Sequence, residues 1–171
     1  MNKVLMVDVE KCTGCRICEL VCSLSHEGEC NPLKSRIKIF KIEEEGIDMP
    51  CVCQNCETPL CRDVCPVGAI VRDLDTGSIV IKEDLCVGCR ACTLVCPYGA
   101  ITMDTSRRVM LMCDLCGGDP ECVKFCITNA LIFKQTEVID TLRKSSAMQK
   151  FVKPLLKSRE IAYQERKEGK E

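Results

Sequence analysis

Apolar residues in this chain come in short bursts, not long runs. Alternating or clustered β-branched stretches lie at Val4–Val7, Arg36–Ile42, Ser78–Lys82, Ile101–Met103, Val109–Met112 and Ala130–Phe133, and each predicts a short strand. Pro66–Ile70 (P-V-G-A-I) and Pro97–Ile101 (P-Y-G-A-I) are near twins that lead into strands, and Asp75-Thr76-Gly77 marks a turn. The pairs Leu20-Val21 and Leu94-Val95 stand just before a cysteine, where short helices are expected to start and pack inward. From Thr136 the spacing becomes helical. Thr136–Leu142 and Ala147–Glu168 carry Val138, Leu142, Phe151, Leu155, Ile161 and Tyr163, with Pro154 placed to start or kink a helix. The pattern predicts an α+β domain over 1–135, then a helical tail over 136–171. An apolar face on such a tail needs a surface to lie on, either this chain's own or a partner's.

Composition changes this picture in one respect. The 171 residues include 18 cysteines, no tryptophan and only 4% aromatic residues, too little for an ordinary aromatic core. Cysteine at that density points to disulfides or metal. Sixteen of them fall into four groups: Cys12, Cys15, Cys18 and Cys22; Cys53, Cys56, Cys61 and Cys65; Cys86, Cys89, Cys92 and Cys96; Cys113, Cys116, Cys122 and Cys126. Lys11–Ser23 (K-C-T-G-C-R-I-C-E-L-V-C-S) and Leu85–Pro97 (L-C-V-G-C-R-A-C-T-L-V-C-P) repeat one another, as duplication would leave them. Both keep Gly before the second Cys, where the backbone passes close to sulfur and a positive φ is expected.

Tight C-x-x-C-x-x-C runs suit one metal centre better than separate bridges, whose Cα separations and directions must each be right. Met1–Glu10 carries charges where a secretory leader would be apolar, so reduced thiols in the cytoplasm are expected. Three thiolates of one run plus a remote fourth, followed by Pro, hold a [4Fe–4S] cluster in two-cluster ferredoxins. The second and third groups have that gap and those prolines. They predict one cluster on Cys53, Cys56, Cys61 and Cys96, and another on Cys65, Cys86, Cys89 and Cys92. The first and fourth groups then pair by elimination, as Cys12, Cys15, Cys18 and Cys126, and as Cys22, Cys113, Cys116 and Cys122. The expectation is four [4Fe–4S] clusters in two nested bacterial-ferredoxin-like modules. The inner module spans about 50–103, and the outer is made from about 1–49 and 104–135. Zinc is the alternative metal, since C-x-x-C pairs hold it too; the protein would then be an interaction module.

The outer groups depart from the compact pattern. Ser23 follows Cys22 and Ile127 follows Cys126, where the inner groups have Pro; this should alter the local turn and leave ligation intact. Five residues, G-G-D-P-E, separate Cys116 from Cys122, so that loop is longer. Cys51 and Cys30 are left over and read as small buried hydrophobes; the C-x-x-C spacing selects Cys53 over Cys51 as the ligand. His26, the sole histidine, is expected to anchor the loop after Cys22 by hydrogen bonds rather than ligate iron or relay protons. Arg16 and Arg90 hold matching places between cysteines, either raising a cluster's potential or lying in solvent.

From about Lys3 to Phe133 the chain resembles the four-cluster electron-transfer subunits of molybdenum and tungsten oxidoreductases. That resemblance implies the same nested pairing. Cys22–Ile37 (C-S-L-S-H-E-G-E-C-N-P-L-K-S-R-I) resembles the soluble, cytoplasmic branch of that family. The branch includes small subunits of tungsten aldehyde oxidoreductases and tungsten benzoyl-CoA reductases, and ferredoxin-like partners of carbon monoxide dehydrogenase. The implied partner is a catalytic tungsten or molybdenum subunit, with a flavoprotein or ferredoxin as electron donor or acceptor. A free polyferredoxin, or a ferredoxin-like partner of carbon monoxide dehydrogenase or hydrogenase, is the second reading.

The sequence contains no G-x-G-x-x-G, P-loop or Ser/His/Asp set, so no catalytic residue is expected. The formal charge of −1 would fall to about −9 with sixteen thiolates and four oxidised clusters bound. That charge disfavours nucleic acid. No apolar run approaches the ~20 residues of a membrane span, so no membrane insertion is expected.

Overall fold

The computed structural model describes residues 3–135; the expected helical tail over 136–171 lies outside the described residues. Up to Lys134 the chain forms one compact unit. Its elements run β1 (Lys3–Val7), α1 (Ile17–Glu27), β2 (Lys38–Ile42), β3 (Ile47–Cys51), α2 (Leu60–Asp63), β4 (Ile70–Arg72), β5 (Ile79–Ile81), α3 (Ala91–Val95), β6 (Thr102–Asp104), β7 (Val109–Leu111), α4 (Glu121–Lys124) and β8 (Leu131–Gln135). Among the described residues these make an α+β, ferredoxin-like domain of short helices and two-stranded sheets. β1 pairs with β8, whereas β2–β3, β4–β5 and β6–β7 are antiparallel hairpins. α1 packs on α4, and α2 packs on α3. First-with-last and middle-with-middle contacts therefore recur in strands and helices alike.

Sheets of two strands bury too little to stand alone, and here cysteine sulfur joins the cores. One buried cluster joins Leu5, Ile37, Ile39, Val52, Leu115 and Leu131 to Cys18, Cys22, Cys113 and Cys122. The other joins Ile70, Ile79, Ile101, Met110 and Met112 to Cys92. Cys53 packs against both.

The strands foreseen from β-branched runs are all present, and the Asp75-Thr76-Gly77 turn closes β4–β5. Asp73 Oδ1 organises that turn by accepting from the N–H groups of Asp75 (3.0 Å) and Thr76 (2.8 Å). β3 was not foreseen. Its sequence, I-D-M-P-C, breaks the β signal with Asp48 and Pro50, and its pairing with β2 supplies what propensity lacks.

Two expectations about helices need correcting. α1 and α3 begin at Ile17 and Ala91, before the Leu-Val pairs, and Leu94 is 87% exposed. The inward face belongs to cysteine. Leu94 lies two residues from both Cys92 and Cys96, which places it on the opposite side of the helix.

The missing prolines have unequal effects. At Cys126 the turn survives: Asn129 N–H donates to Cys126 O at 3.1 Å, as Gly68 does to Cys65 and Gly99 to Cys96, each at 3.2 Å. Asn129 takes the same left-handed conformation as Gly68 and Gly99, which Asn tolerates. At Cys22 no such turn forms, because α1 runs on to Glu27 and ends at left-handed Gly28.

Candidate metal centres

Each cysteine group is bent by one recurring backbone device. The residue before the second cysteine is left-handed in all four: Gly14 (φ 62°), Asn55 (φ 48°), Gly88 (φ 64°) and Leu115 (φ 59°). Gly satisfies this freely and Asn at small cost, while Leu115 carries strain inside a buried contact set. Arg16 and Arg90 are left-handed too and stand at the N-termini of α1 and α3. Their matching positions thus reflect matching backbone. Their side chains differ, with Arg16 Nε 3.9 Å from Glu19 and Arg90 Nε donating to Met103 Sδ at 2.9 Å.

Three cavities are each lined by four cysteines. One gathers Cys53, Cys56, Cys61 and Cys96; another gathers Cys65, Cys86, Cys89 and Cys92; the third gathers Cys12, Cys15, Cys18 and Cys126. Cys22, Cys113, Cys116 and Cys122 also converge: Cys122 lies within charge range of Cys22 and Cys116, and Cys113 within range of Cys122 and Cys22. The sets are neighbours in the two buried clusters, with Cys53 packed against both. Cys122 also senses Cys18, Cys113 senses Cys53, and Cys92 senses Cys61.

Burial, then the charge of neighbouring Glu19, pushes the Cys18 thiol up to about 12. Burial followed by cysteine neighbours pushes Cys53 up to about 12 and Cys92 up to about 11. Bare thiolates crowded this way repel one another, and a polynuclear cationic core relieves that repulsion. Gatherings this rich in sulfur fit [4Fe–4S], although at the fourth set a carboxylate oxygen of Asp114 and a ring nitrogen of His26 also lie within 4.8 Å of Cys116 Sγ.

Backbone amides point at the sulfurs as well. Arg36 N–H donates to Cys22 Sγ at 3.3 Å, Ala69 N–H to Cys65 Sγ at 3.3 Å, and Met110 N–H to Cys86 Sγ at 3.5 Å. At Cys65 burial opposes ionisation, but the N–H groups from Val67 to Ile70 outweigh it and lower the thiol. Cys126 behaves likewise beside Leu131 and Ala130. Such donors stabilise sulfur-borne negative charge and tune a cluster's potential.

His26 makes the hydrogen bonds expected of it, though with a more distant partner. Nδ1 contacts Cys22 O at 2.8 Å and Nε2 contacts Asp114 Oδ1 at 3.0 Å. The ring therefore ties α1 to the fourth cysteine group. The Asp114 contact, then Cys116 and Cys22, raises its pKa to about 12.

Several residues that position the cysteines carry no motif. Asp114 Oδ1 accepts the Cys116 N–H at 3.0 Å and Oδ2 pairs with Arg36 at 2.8 Å. Arg72 donates to Cys56 O (2.6 Å) and Gly77 O (2.7 Å), fixing the second loop. Asn55 Oδ1 accepts from Ile79 N–H at 2.8 Å. Glu19, buried beside Cys18, accepts from Ile39 N–H at 2.7 Å. Only the left-handed Asn55, in the place of Gly14 and Gly88, left a trace in the repeat.

The leftover cysteines differ. Cys51 is buried and its Sγ donates to Tyr98 O at 2.6 Å. Cys30 is exposed, contrary to the expectation, because the chain leaves α1 at Gly28 and turns across the surface.

Fold and cysteine geometry define the class: an iron–sulfur protein whose polypeptide wraps [4Fe–4S] clusters. The family described as 4Fe-4S dicluster domain matches residues 45–136, and this protein belongs to it. A polyferredoxin-like subunit of aliphatic sulfonate oxidoreductase from Pyrococcus furiosus is 40% identical over 122 residues, 71% of this chain and 70% of that one. The electron transport protein HydN of Escherichia coli K12 is 34% identical over 155 residues, 77% of this chain and 87% of that one. The B subunit of anaerobic dimethyl sulfoxide reductase from the same organism is 35% identical over 169 residues, 87% of this chain and 80% of that one. The protein is an iron–sulfur electron-transfer subunit of the oxidoreductase type and is not catalytic on its own. No helix among the described residues is long and apolar enough to cross a membrane.

Proposed function

We propose that this protein relays single electrons through four [4Fe–4S] clusters, to or from a catalytic tungsten or molybdenum subunit in the cytoplasm. The supporting observation is the crossed gathering of cysteines: each converging set takes three from one group and one from another. The four sets are Cys12, Cys15, Cys18 and Cys126; Cys22, Cys113, Cys116 and Cys122; Cys53, Cys56, Cys61 and Cys96; Cys65, Cys86, Cys89 and Cys92. The middle two groups form the inner module over about 50–103, and the first and last form the outer one.

When bound, each cluster supplies a one-electron couple that needs little rearrangement. The residues do the rest. Cys18 and Cys122 share one buried cluster with Cys113, Cys53 packs against that cluster and against the second, and Cys61 packs with Cys92 in the second; this sequence of neighbours supports a single file. Cys12–Cys18 stands at one end and Cys86–Cys92 at the other. Ile37, Val52 and Leu115 fill the outer core beside buried Cys18, Cys22, Cys113 and Cys122, and Ile79 and Met112 fill the inner one beside buried Cys92. Aimed N–H groups and Arg36 set the local charge that each set experiences.

Crossed ligation is tested by Cys96→Ser followed by anaerobic alkylation and peptide mapping. The crossed arrangement predicts label on Cys53, Cys56 and Cys61; label on Cys86, Cys89 and Cys92 would refute it. Metal analysis of the natively purified complex tests the partner, with tungsten or molybdenum expected.

A further inference from the structure

We infer that the outer face of the β2–β3 hairpin docks the catalytic subunit of the oxidoreductase, which meets it with an apolar depression edged by lysine or arginine. The inference rests on the relay reading above and specifies where the relay is entered or left.

The hairpin register pairs Ile39 with Pro50, Phe40 with Met49, Lys41 with Asp48, and Ile42 with Ile47. The pleat sends alternate pairs to opposite faces. Ile39 and Pro50 face inward and line the cavity of Cys12, Cys15, Cys18 and Cys126. On the same side Lys41 pairs with Asp48 at 3.4 Å, and Asp48 packs against Gly14.

Phe40, Ile42, Ile47 and Met49 face outward, between 40% and 50% exposed. An antiparallel hairpin with one face on the core ordinarily shows polar residues to water on the other. Here the outward face is apolar instead. Two adjacent cross-strand pairs make a contiguous patch of the few-hundred-Å² size that marks interaction sites.

Charge defines the occupant. Glu43, Glu44 and Glu45 form the hairpin's tip as a short 3-10 turn, and none of the three makes an ion pair among the described residues. Three uncompensated carboxylates beside an apolar face call for a basic rim on the partner. They would also steer its approach and fix its orientation. Position defines the partner's role. The hairpin is the wall of an end set in the file, one sheet layer about 10 Å thick, so a protein seated on it brings its own redox centre close to Cys12–Cys18.

The test uses the native complex, purified anaerobically, with tungsten or molybdenum confirmed in the catalytic subunit. Hydrogen exchange over 38–51 is compared between that complex and the isolated holo protein. Two variants, Phe40→Ser/Met49→Ser and Glu43→Lys/Glu44→Lys/Glu45→Lys, are titrated back onto the catalytic subunit. Expected are slower exchange over the hairpin in the complex and binding weaker by about tenfold or more in both variants, with iron content unchanged. Binding of the charge-reversed variant should also lose its weakening by salt. Unchanged exchange and affinity in a complex that forms would overturn this docking site and leave the relay standing. Hairpin protection already present in the isolated monomer, or appearing with a doubled mass on sizing, would overturn it too, by assigning the face to the protein itself or to a second copy. A protein that purifies with no metal-bearing subunit would overturn both readings.

Discussion

His26 Nε2 and Asp114 Oδ1 lie 3.0 Å apart although 88 residues separate them in sequence. The contact joins the helix carrying Cys18 and Cys22 to the loop carrying Cys113 and Cys116. Burial opposes a charge on Asp114, yet His26 and Arg36 prevail and hold its carboxyl down at about 2. An ionised carboxylate here satisfies His26, Arg36 and the Cys116 amide together.

Asp114→Ala strands those three donors. The holo protein should lose about 3 kcal/mol of stability, read by anaerobic urea unfolding with visible absorbance as the probe. A midpoint within error of wild type would show that the contact is incidental.

Cys51 and Cys53 separate structural sulfur from ligating sulfur. Cys51→Ala removes one hydrogen bond to Tyr98 O and should leave the iron content as it was. Cys53→Ala breaks a tetrad and should lower iron by about four per chain. Iron analysis of the two variants side by side checks the assignment, and the reverse order of loss would make Cys51 the ligand.

Two left-handed glycines have different surroundings. At Gly88 a Cβ would collide with the Arg108 carbonyl, while at Gly99 it meets open space. Gly99→Ala should cost about 1 kcal/mol from backbone strain alone, and Gly88→Ala at least twice that, since the Cys86–Cys89 loop must also shift. Denaturant midpoints of the two variants give the ranking.

Glu19 places a carboxylate within charge range of Cys18. Glu19→Gln keeps an acceptor for Ile39 N–H and removes the charge. The potential of the cluster assigned to Cys12–Cys18 and Cys126 should rise by on the order of 50 mV, read by EPR-monitored redox titration. No rise would mean that solvent or a counter-ion already screens the carboxylate.

The strands and the duplicated Gly14/Gly88 turns were legible because local sequence imposes them: a short loop between close cysteines must bend left-handed to bring their sulfurs to one side. Asn55 and Leu115 perform the same bend without glycine, so only the fold reveals that the device is fourfold. β3 was hidden because its order comes from β2 and from its inner wall on the Cys12–Cys18 cavity, not from local propensity. Asp114, Arg36 and Arg72 were hidden for a related reason. Each acts across long stretches of sequence on backbone groups that no side-chain motif marks. The exposed apolar residues of β2 read as ordinary strand residues until the register placed them on the outer face.

Iron and acid-labile sulfide, counted on the anaerobically purified protein and paired with EPR after dithionite reduction, test the central claim most directly. Four clusters in single file predict about sixteen of each per chain, with a spectrum broadened by coupling between neighbouring spins. About eight of each, with one uncoupled pair of signals, would contradict it.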